Sequence, residues 1–373
     1  MSEPTERGMG RRGFLKRLPA AAVGAGLFAR AAAEAAEMDP KDILNYNEVM
    51  AYRRLGRTGL WCSHVGLGGH HRGGDQEVRN RVVAKALDLG INYFDTTSDG
   101  EAKELGIAME ACKGRDRAYI VRDFLKARRP ELRQSPEAEY KRVVREHLER
   151  GLEMLRTDCV DVYRMTPPEG NPNAEPVPQG PMPLGWPMEE FHNVHWFAEE
   201  FEKLRDEGKC RFMGLSTHNP AFQAKAVREV PQVDVIYLPY NYVFSGAADR
   251  LYPGAKGEGT LFELCQNRDR GIVTIKPFMK TAMFRTEAFK KRYEAKKPEV
   301  ETVAAFALRF VLANPYITVT IPGMDTLEHV EQNVAVVKQG APTQAELRTL
   351  DRYCRDVPRL LTAEYQWAKR WLA

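Results

Sequence analysis

The chain has 373 residues, 43% of them apolar and 28% charged, with a net charge of +4. That balance excludes a disordered or collagen-like polymer and leaves enough apolar material for a large core. It also gives no long basic block of the kind nucleic acid requires. Six cysteines, at positions 62, 112, 159, 210, 265 and 354, show no CxxC or other metal-ligand spacing and read as buried free thiols, with a disulfide as the alternative.

Residues 1–36 have the three parts of a twin-arginine export signal in order. Arg11 and Arg12 lead into Phe14-Leu15-Lys16, an apolar run spans Leu18 to Ala29, and small residues suited to cleavage follow near Ala33 or Ala36. The apolar run is too short for a comfortable membrane span, so the expected location is periplasmic, with export in the folded state and no transmembrane segment after cleavage. Residues 37–49 read as a linker.

From residue 50 the chain alternates short β-branched or aromatic runs with longer amphipathic ones. The expected strands are "HVGLGG" (64–69), "NYFDTT" (92–97), "AYIVRDF" (118–124) and "CVDVYRMT" (159–166). They continue with "CRFMGLST" (210–217), "VDVIYLPYN" (233–241), "IVTIKPF" (272–278) and "YITVTIPG" (316–323). Helical patterns lie between them. One starts with Ser135 as N-cap and Pro136 in the first turn and carries apolar residues at 143, 144, 148, 152 and 155; another spans 298–315. Eight β–α units over 50–340 predict an α/β fold, a (β/α)8 TIM barrel. A doubly wound sheet would show a Gly-rich fingerprint, and "GLGGHHRGG" does not fit it. A proline-rich insertion, 167–187, follows the fourth strand and is expected to be a lid or a surface for a protein partner. A second insertion, 242–257, follows the sixth. Residues 341–373 read as a C-terminal helical extension.

Barrel active sites sit at the C-terminal ends of the strands. Those ends carry His70, His71, Asp95, Asp123, Thr166, Ser216, His218, Tyr240, Asn241 and Lys276. Here the segments "YRRLGRTGL", "GINYFDT", "GLSTHN", "LPYNY", "ALRFVLANP" and "IPGMDTLEHVEQN" resemble, in order, the landmarks of the aldo-keto reductases, over about residues 50–338. The resemblance implies hydride transfer between NADP(H) or NAD(H) and a small-molecule carbonyl, polyol or sugar. It also implies an Asp–Tyr–Lys–His tetrad, in which the tyrosine gives the proton.

Matched position by position, Asp95 is the tetrad aspartate. The tyrosine falls at Gly100 or Asp99, the lysine at Asp123 and the histidine at Thr166, so three of four are replaced. Asp95, His70, His71, Asp123 and Tyr240 are the candidates left to handle the proton. Tyr93 shares a strand face with Asp95 but lies a layer deeper, as barrel filler. By the same resemblance, Ser216, Thr217 and Tyr237 meet the nicotinamide amide and Lys276 and Pro277 the pyrophosphate. Gly323, Met324, His329, Gln332 and Asn333 meet the adenosine end, where Gly323 and His329 replace the basic residues that often clamp a 2′-phosphate. Two other readings stay open. One is a catalytically silent binding or assembly barrel. The other is a metal-assisted enzyme using His70, His71, His218, Asp95 and Asp123.

Overall fold

In the computed structural model, which describes residues 38–69, 74–167, 191–245, 258–279, 282–284, 298–355 and 357, seven parallel strands follow one another around a sheet in chain order. They are β3 (Tyr93–Thr96), β4 (Tyr119–Phe124), β5 (Val160–Met165), β6 (Cys210–Ser216), β7 (Val233–Pro239), β8 (Gly271–Ile275) and β9 (Val319–Thr320). Segment 64–68 closes the ring. Val65 bridges Thr320 and Leu67 bridges Phe94, both in parallel. Gly66 N donates to Thr320 O at 2.9 Å, and Leu67 N donates to Tyr93 O at 2.8 Å. The strand expected at 64–69 therefore appears as two bridges and completes the (β/α)8 barrel. Its glycines permit the approach, since a Cβ on Gly68 would lie 2.7 Å from Ile321 O.

An antiparallel hairpin that the expected strands do not include precedes the barrel: β1 (Tyr52–Arg54) and β2 (Trp61–Ser63). Its Leu55, Leu60 and Cys62 join Tyr93, Tyr119, Val121, Val162, Val235, Tyr237, Val273, Val319 and Ile321 in one apolar cluster, the filling of the barrel. The hairpin is the plug under that filling. Its turn is pinned by Arg57 N donating to Asp269 O at 2.7 Å, and by Arg54 pairing with Asp269 at 2.7 Å. Gly56 sits there at φ +50°, where a Cβ would lie 2.3 Å from Gly271 N, so both the backbone and the space require glycine.

Alternate strand residues face outward into a second cluster shared with the helices, among them Phe94, Ile120, Tyr163, Met165, Leu215, Ile236 and Leu238. Among the described residues, the helices longer than four residues are α1 (Gln76–Asp88), α2 (Asp99–Ala111), α3 (Glu137–Leu155), α4 (His192–Asp206) and α5 (Pro220–Glu229). The remaining ones are α6 (Leu261–Asn267), α7 (Pro298–Leu312), α8 (Leu327–Ala335) and α9 (Gln344–Cys354). Capping boxes start α2 (Ser98 with Glu101), α6 (Thr260 with Glu263) and α9 (Thr343 with Glu346). Ser135 does not cap α3. Its hydroxyl bonds back to Leu132 O at 2.7 Å, and Pro136 holds the cap position. Helix α9, part of the expected C-terminal extension, docks through Arg309–Glu346 at 2.7 Å. Residues 1–36, most of the proline-rich insertion and the end of the C-terminal extension lie outside the described residues. Among those described, no helix is long and apolar enough to cross a membrane, and the six cysteines are free.

Asn92 ties the plug to the barrel. Its Oδ1 accepts from Ser63 N at 2.7 Å, and its Nδ2 donates to Leu44 O and Trp61 O at 2.8 and 2.9 Å. Asn92→Ala strands a buried backbone N–H and two carbonyls. It should cost about 2–3 kcal/mol, read as a lower denaturant midpoint with an unchanged slope.

Candidate active site

Period-two alternation carries the interior faces of β3, β4 and β5 upward from Tyr93, Val121 and Val162 to Asp95, Asp123 and Arg164. These three meet. Arg164 Nη1 donates to Asp95 Oδ1 at 2.7 Å, and its Nη2 donates to Asp123 Oδ2 at 2.8 Å and more weakly to Asp95 Oδ2 at 3.4 Å. Thr166 Oγ1 donates to Asp123 Oδ1 at 2.5 Å. All four side chains are buried, none more than 5% exposed. The guanidinium lies 4.5 Å from the ring centroid of Tyr237, whose hydroxyl is hydrogen-bonded to that of Tyr93 below. Gly214 on β6 leaves the room. A Cβ there would come within 2.9 Å of the Tyr237 ring and 3.0 Å of Arg164 Cβ.

Two carboxylates around one guanidinium leave an excess negative charge in a buried place. Burial pushes the Asp95 carboxyl up to about 6 from 3.8. Arg164 pulls it down, and Asp123 and Glu101 push it further up. Arg164 shows the complement. Burial opposes its charge, but Asp123 and Asp95 outweigh that and hold its pKa above the ordinary arginine value.

The turn after β3 supplies no replacement for the tyrosine. Asp99 points away from the barrel, where it pairs with Arg122 on the outward face of β4 and lies 3.4 Å from Arg150. Arg122 is fully buried between β4 and α3, and Gly151 makes space for it, since a Cβ there would lie 2.8 Å from Arg122 Nε. Its Nη2 also donates to His147 Nε2 at 3.0 Å, which places the ring proton on Nδ1, facing Tyr163 Oη at 3.2 Å. Gly100 is open. A Cβ added to it would meet only Ser98 Oγ, at 3.9 Å.

The other proposed residues divide. Tyr240, expected at the mouth, instead faces the helices. It shares the outward parity of Ile236 and Leu238, stacks on Phe310 at 5.8 Å and accepts from Asn314 Nδ2 at 3.1 Å. Tyr237, expected against the nicotinamide, turns its hydroxyl down to Tyr93 inside the barrel. His70 and His71 lie outside the described residues. Ser216 ends β6 on its inner face, buried at the rim. Thr217 Oγ1 accepts from Asn219 N at 3.2 Å and turns the chain into α5. Lys276, at φ +57°, brings its Nζ to His218 Nε2 at 2.7 Å, beside buried Pro277.

Past β9, Gly323 is exposed with open space around it, Met324 is buried, Gln332 is half-buried and Asn333 is buried. His329 folds onto its own loop. Its N donates to Thr326 Oγ1 at 3.2 Å and its Nδ1 accepts from Asp325 N at 3.3 Å. Among the described residues, no three His, Cys, Asp or Glu side chains are grouped to hold a metal. Arg164 is the residue the sequence reading passed over, although the parity of Val162 points it inward.

The model of the aldo/keto reductase family matches residues 64–354. The chain is similar to L-galactose dehydrogenase of Arabidopsis thaliana, 26% identical over 319 residues that cover 77% of this chain and 88% of that protein. It is similar also to an uncharacterized oxidoreductase, YqkF, of Bacillus subtilis, 22% identical over 331 residues, 82% of this chain and 97% of that one. The fold matches aldo-keto reductase AKR11C1 from Bacillus halodurans, with a TM-score of 0.57 at 20% identity, covering 82% of this chain and 96% of that chain. An aldo-keto reductase from Klebsiella pneumoniae, solved in complex with NADPH, matches with a TM-score of 0.57 at 20% identity, covering 81% and 94%.

The raised carboxyl gives a sign to the pH dependence of stability. The folded state holds the Asp95 proton more tightly than the unfolded chain does. This contribution is therefore full below the unfolded carboxyl pKa of about 4 and is lost as pH rises through about 6. Relative to Asp95→Asn, the wild type should lose about 3 kcal/mol between about pH 4 and pH 6.5, measured as the divergence of their denaturation midpoints.

Proposed function

The chain belongs to the aldo/keto reductase family, and from that premise we propose that it is an exported NAD(P)(H)-dependent oxidoreductase acting on a carbonyl, polyol or sugar. In this reading the proton is handled by the carboxyl groups of Asp95 and Asp123 rather than by a tyrosine. The observation that carries the reading is the Asp95–Arg164–Asp123 assembly at the C-terminal end of the barrel, in the place where the family's tetrad is expected. A carboxyl raised to about 6 is poised near neutrality, as a general acid or base must be. Export rests on the composition of residues 1–36.

The rim residues fit a dinucleotide. Ser216 offers a buried hydroxyl at the mouth, Lys276 a cation after β8, and the loop before α8 an open approach at Gly323. Bound there, the nicotinamide supplies the hydride. Ser216 would orient the ring, Lys276 would offset phosphate charge, and the buried carboxyl group would give or take the proton at the substrate oxygen. Gly323 offers no side chain to a 2′-phosphate and His329 is turned onto its own loop, which favours accommodation of NAD(H) alongside NADP(H).

Calorimetry with each cofactor, followed by a carbonyl and polyol panel, tests the reading; absence of both binding and turnover would sink it. Asp95→Asn and Asp123→Asn should each lower kcat by about 10²–10³-fold with little change in cofactor affinity. Gly323→Lys, placed in open space, should tighten NADPH about tenfold and leave NADH unchanged.

A further inference from the structure

We infer that Arg164 is a positioning residue that holds Asp95 and Asp123 as one acid–base unit carrying a single proton between them, located on Asp95 Oδ2. The inference rests on the functional reading above and deepens it.

The hydrogen bonds make the assignment. Both oxygens of Asp123 accept, Oδ1 from Thr166 Oγ1 at 2.5 Å and Oδ2 from Arg164 Nη2 at 2.8 Å. That is the pattern of an ionised carboxylate. Asp95 Oδ1 accepts from Arg164 Nη1 at 2.7 Å, but Oδ2 has only the 3.4 Å contact. One oxygen of four is thus left with room for a proton. A lysine cannot reproduce this arrangement, because a compact ammonium lacks the planar fork that reaches two acids at once.

Among the described residues, the groups facing the unit are engaged elsewhere. Tyr93 on β3 and Tyr237 on β7 have phenols pushed well above 10 by burial and spend their hydroxyls on each other. Cys62 from the plug is likewise raised by burial. Glu101 on α2 faces Asp95 but accepts from Thr97 N at 2.7 Å and Ser98 N at 3.2 Å. Gly214 on β6 adds no side chain, and Arg122 points out of the barrel.

In reduction, with a dihydronicotinamide held by Ser216 and Lys276, which would supply a hydride to the carbonyl carbon and be left as the oxidised ring, the π electrons of the carbonyl would move to its oxygen. That oxygen takes the proton from Asp95 Oδ2. The unit is left doubly ionised around Arg164 and regains a proton from solvent. In the reverse direction the ionised unit accepts the alcohol proton as the hydride leaves. Reduction should therefore decline, and alcohol oxidation rise, as pH passes through about 6.

Two readouts on the full chain test this: the pH profile of kcat/KM, and an infrared titration of the protonated-carboxyl C=O stretch, which needs no turnover. Wild type should show one carboxyl protonating near pH 6, with the band lost in Asp95→Asn. Arg164→Lys and Thr166→Val each weaken the support of the ionised form. Both should move the infrared midpoint and the kinetic limb upward by about one pH unit, with Arg164→Lys retaining activity that Arg164→Met loses. Folded Arg164→Lys and Thr166→Val proteins with unmoved midpoints would overturn the inference, as would a wild type with no carboxyl protonated above about pH 5. A titrating carboxyl that moves in these variants, in a protein with neither cofactor binding nor turnover, would support the unit and reject the oxidoreductase reading.

Discussion

Arg164 reaches from β5 to the carboxyl groups of Asp123 on β4 and of Asp95 on β3 beyond it, and the upper barrel is organised around that contact. The guanidinium needs a flat surface beneath it, which Tyr237 provides, and Tyr237 needs a gap in β6, which Gly214 leaves. Removing one partner of such a buried group leaves an uncompensated charge at a cost of about 3–5 kcal/mol. Asp95, Asp123 and Arg164 are therefore tied to one another energetically before any ligand is considered.

The same interaction gives Asp95 a buried cationic partner without a lysine on β4. A lysine from β4 beside an aspartate from β3 is the arrangement that the family resemblance implies. Here β4 presents Asp123, and the cation arrives from β5 as Arg164. The acid on β3 stays, the cation sits one strand further on, and it still lies against Asp95. The turn after β3 is committed elsewhere, with Asp99 held by Arg122 on the helix side. Space is not what excludes a larger residue at Gly100.

Much of this was legible in the sequence because barrel strands are short and regular. The β-branched and aromatic runs located the parallel strands closely, and strand ends gave Asp95 and Asp123 directly. Tyr240 was misplaced because its position at a strand exit was weighed above its parity with Ile236 and Leu238. Arg164 escaped because matching to a tetrad directs attention to Thr166, two residues on. The hairpin was missed because each of its strands is only three residues long, below the length at which alternation shows. The Asp99–Arg122 pair joins two elements that no local pattern connects.

The closing stave of the barrel has a mechanical meaning. Segment 64–68 is held by isolated bridges at Val65 and Leu67 rather than a continuous ladder, and glycines occupy two of its five positions. Its hydrogen bonds run to both neighbours, from Gly66 N to Thr320 O and from Leu67 N to Tyr93 O, so the segment is a two-sided joint made of few residues. It runs between Asp95, whose N donates to Leu67 O at 2.9 Å, and Pro322, whose O accepts from Gly68 N at 3.0 Å. One short segment thus bonds directly to the residue that carries the acid and to the loop before α8, so the positions of the two are set by the same stave.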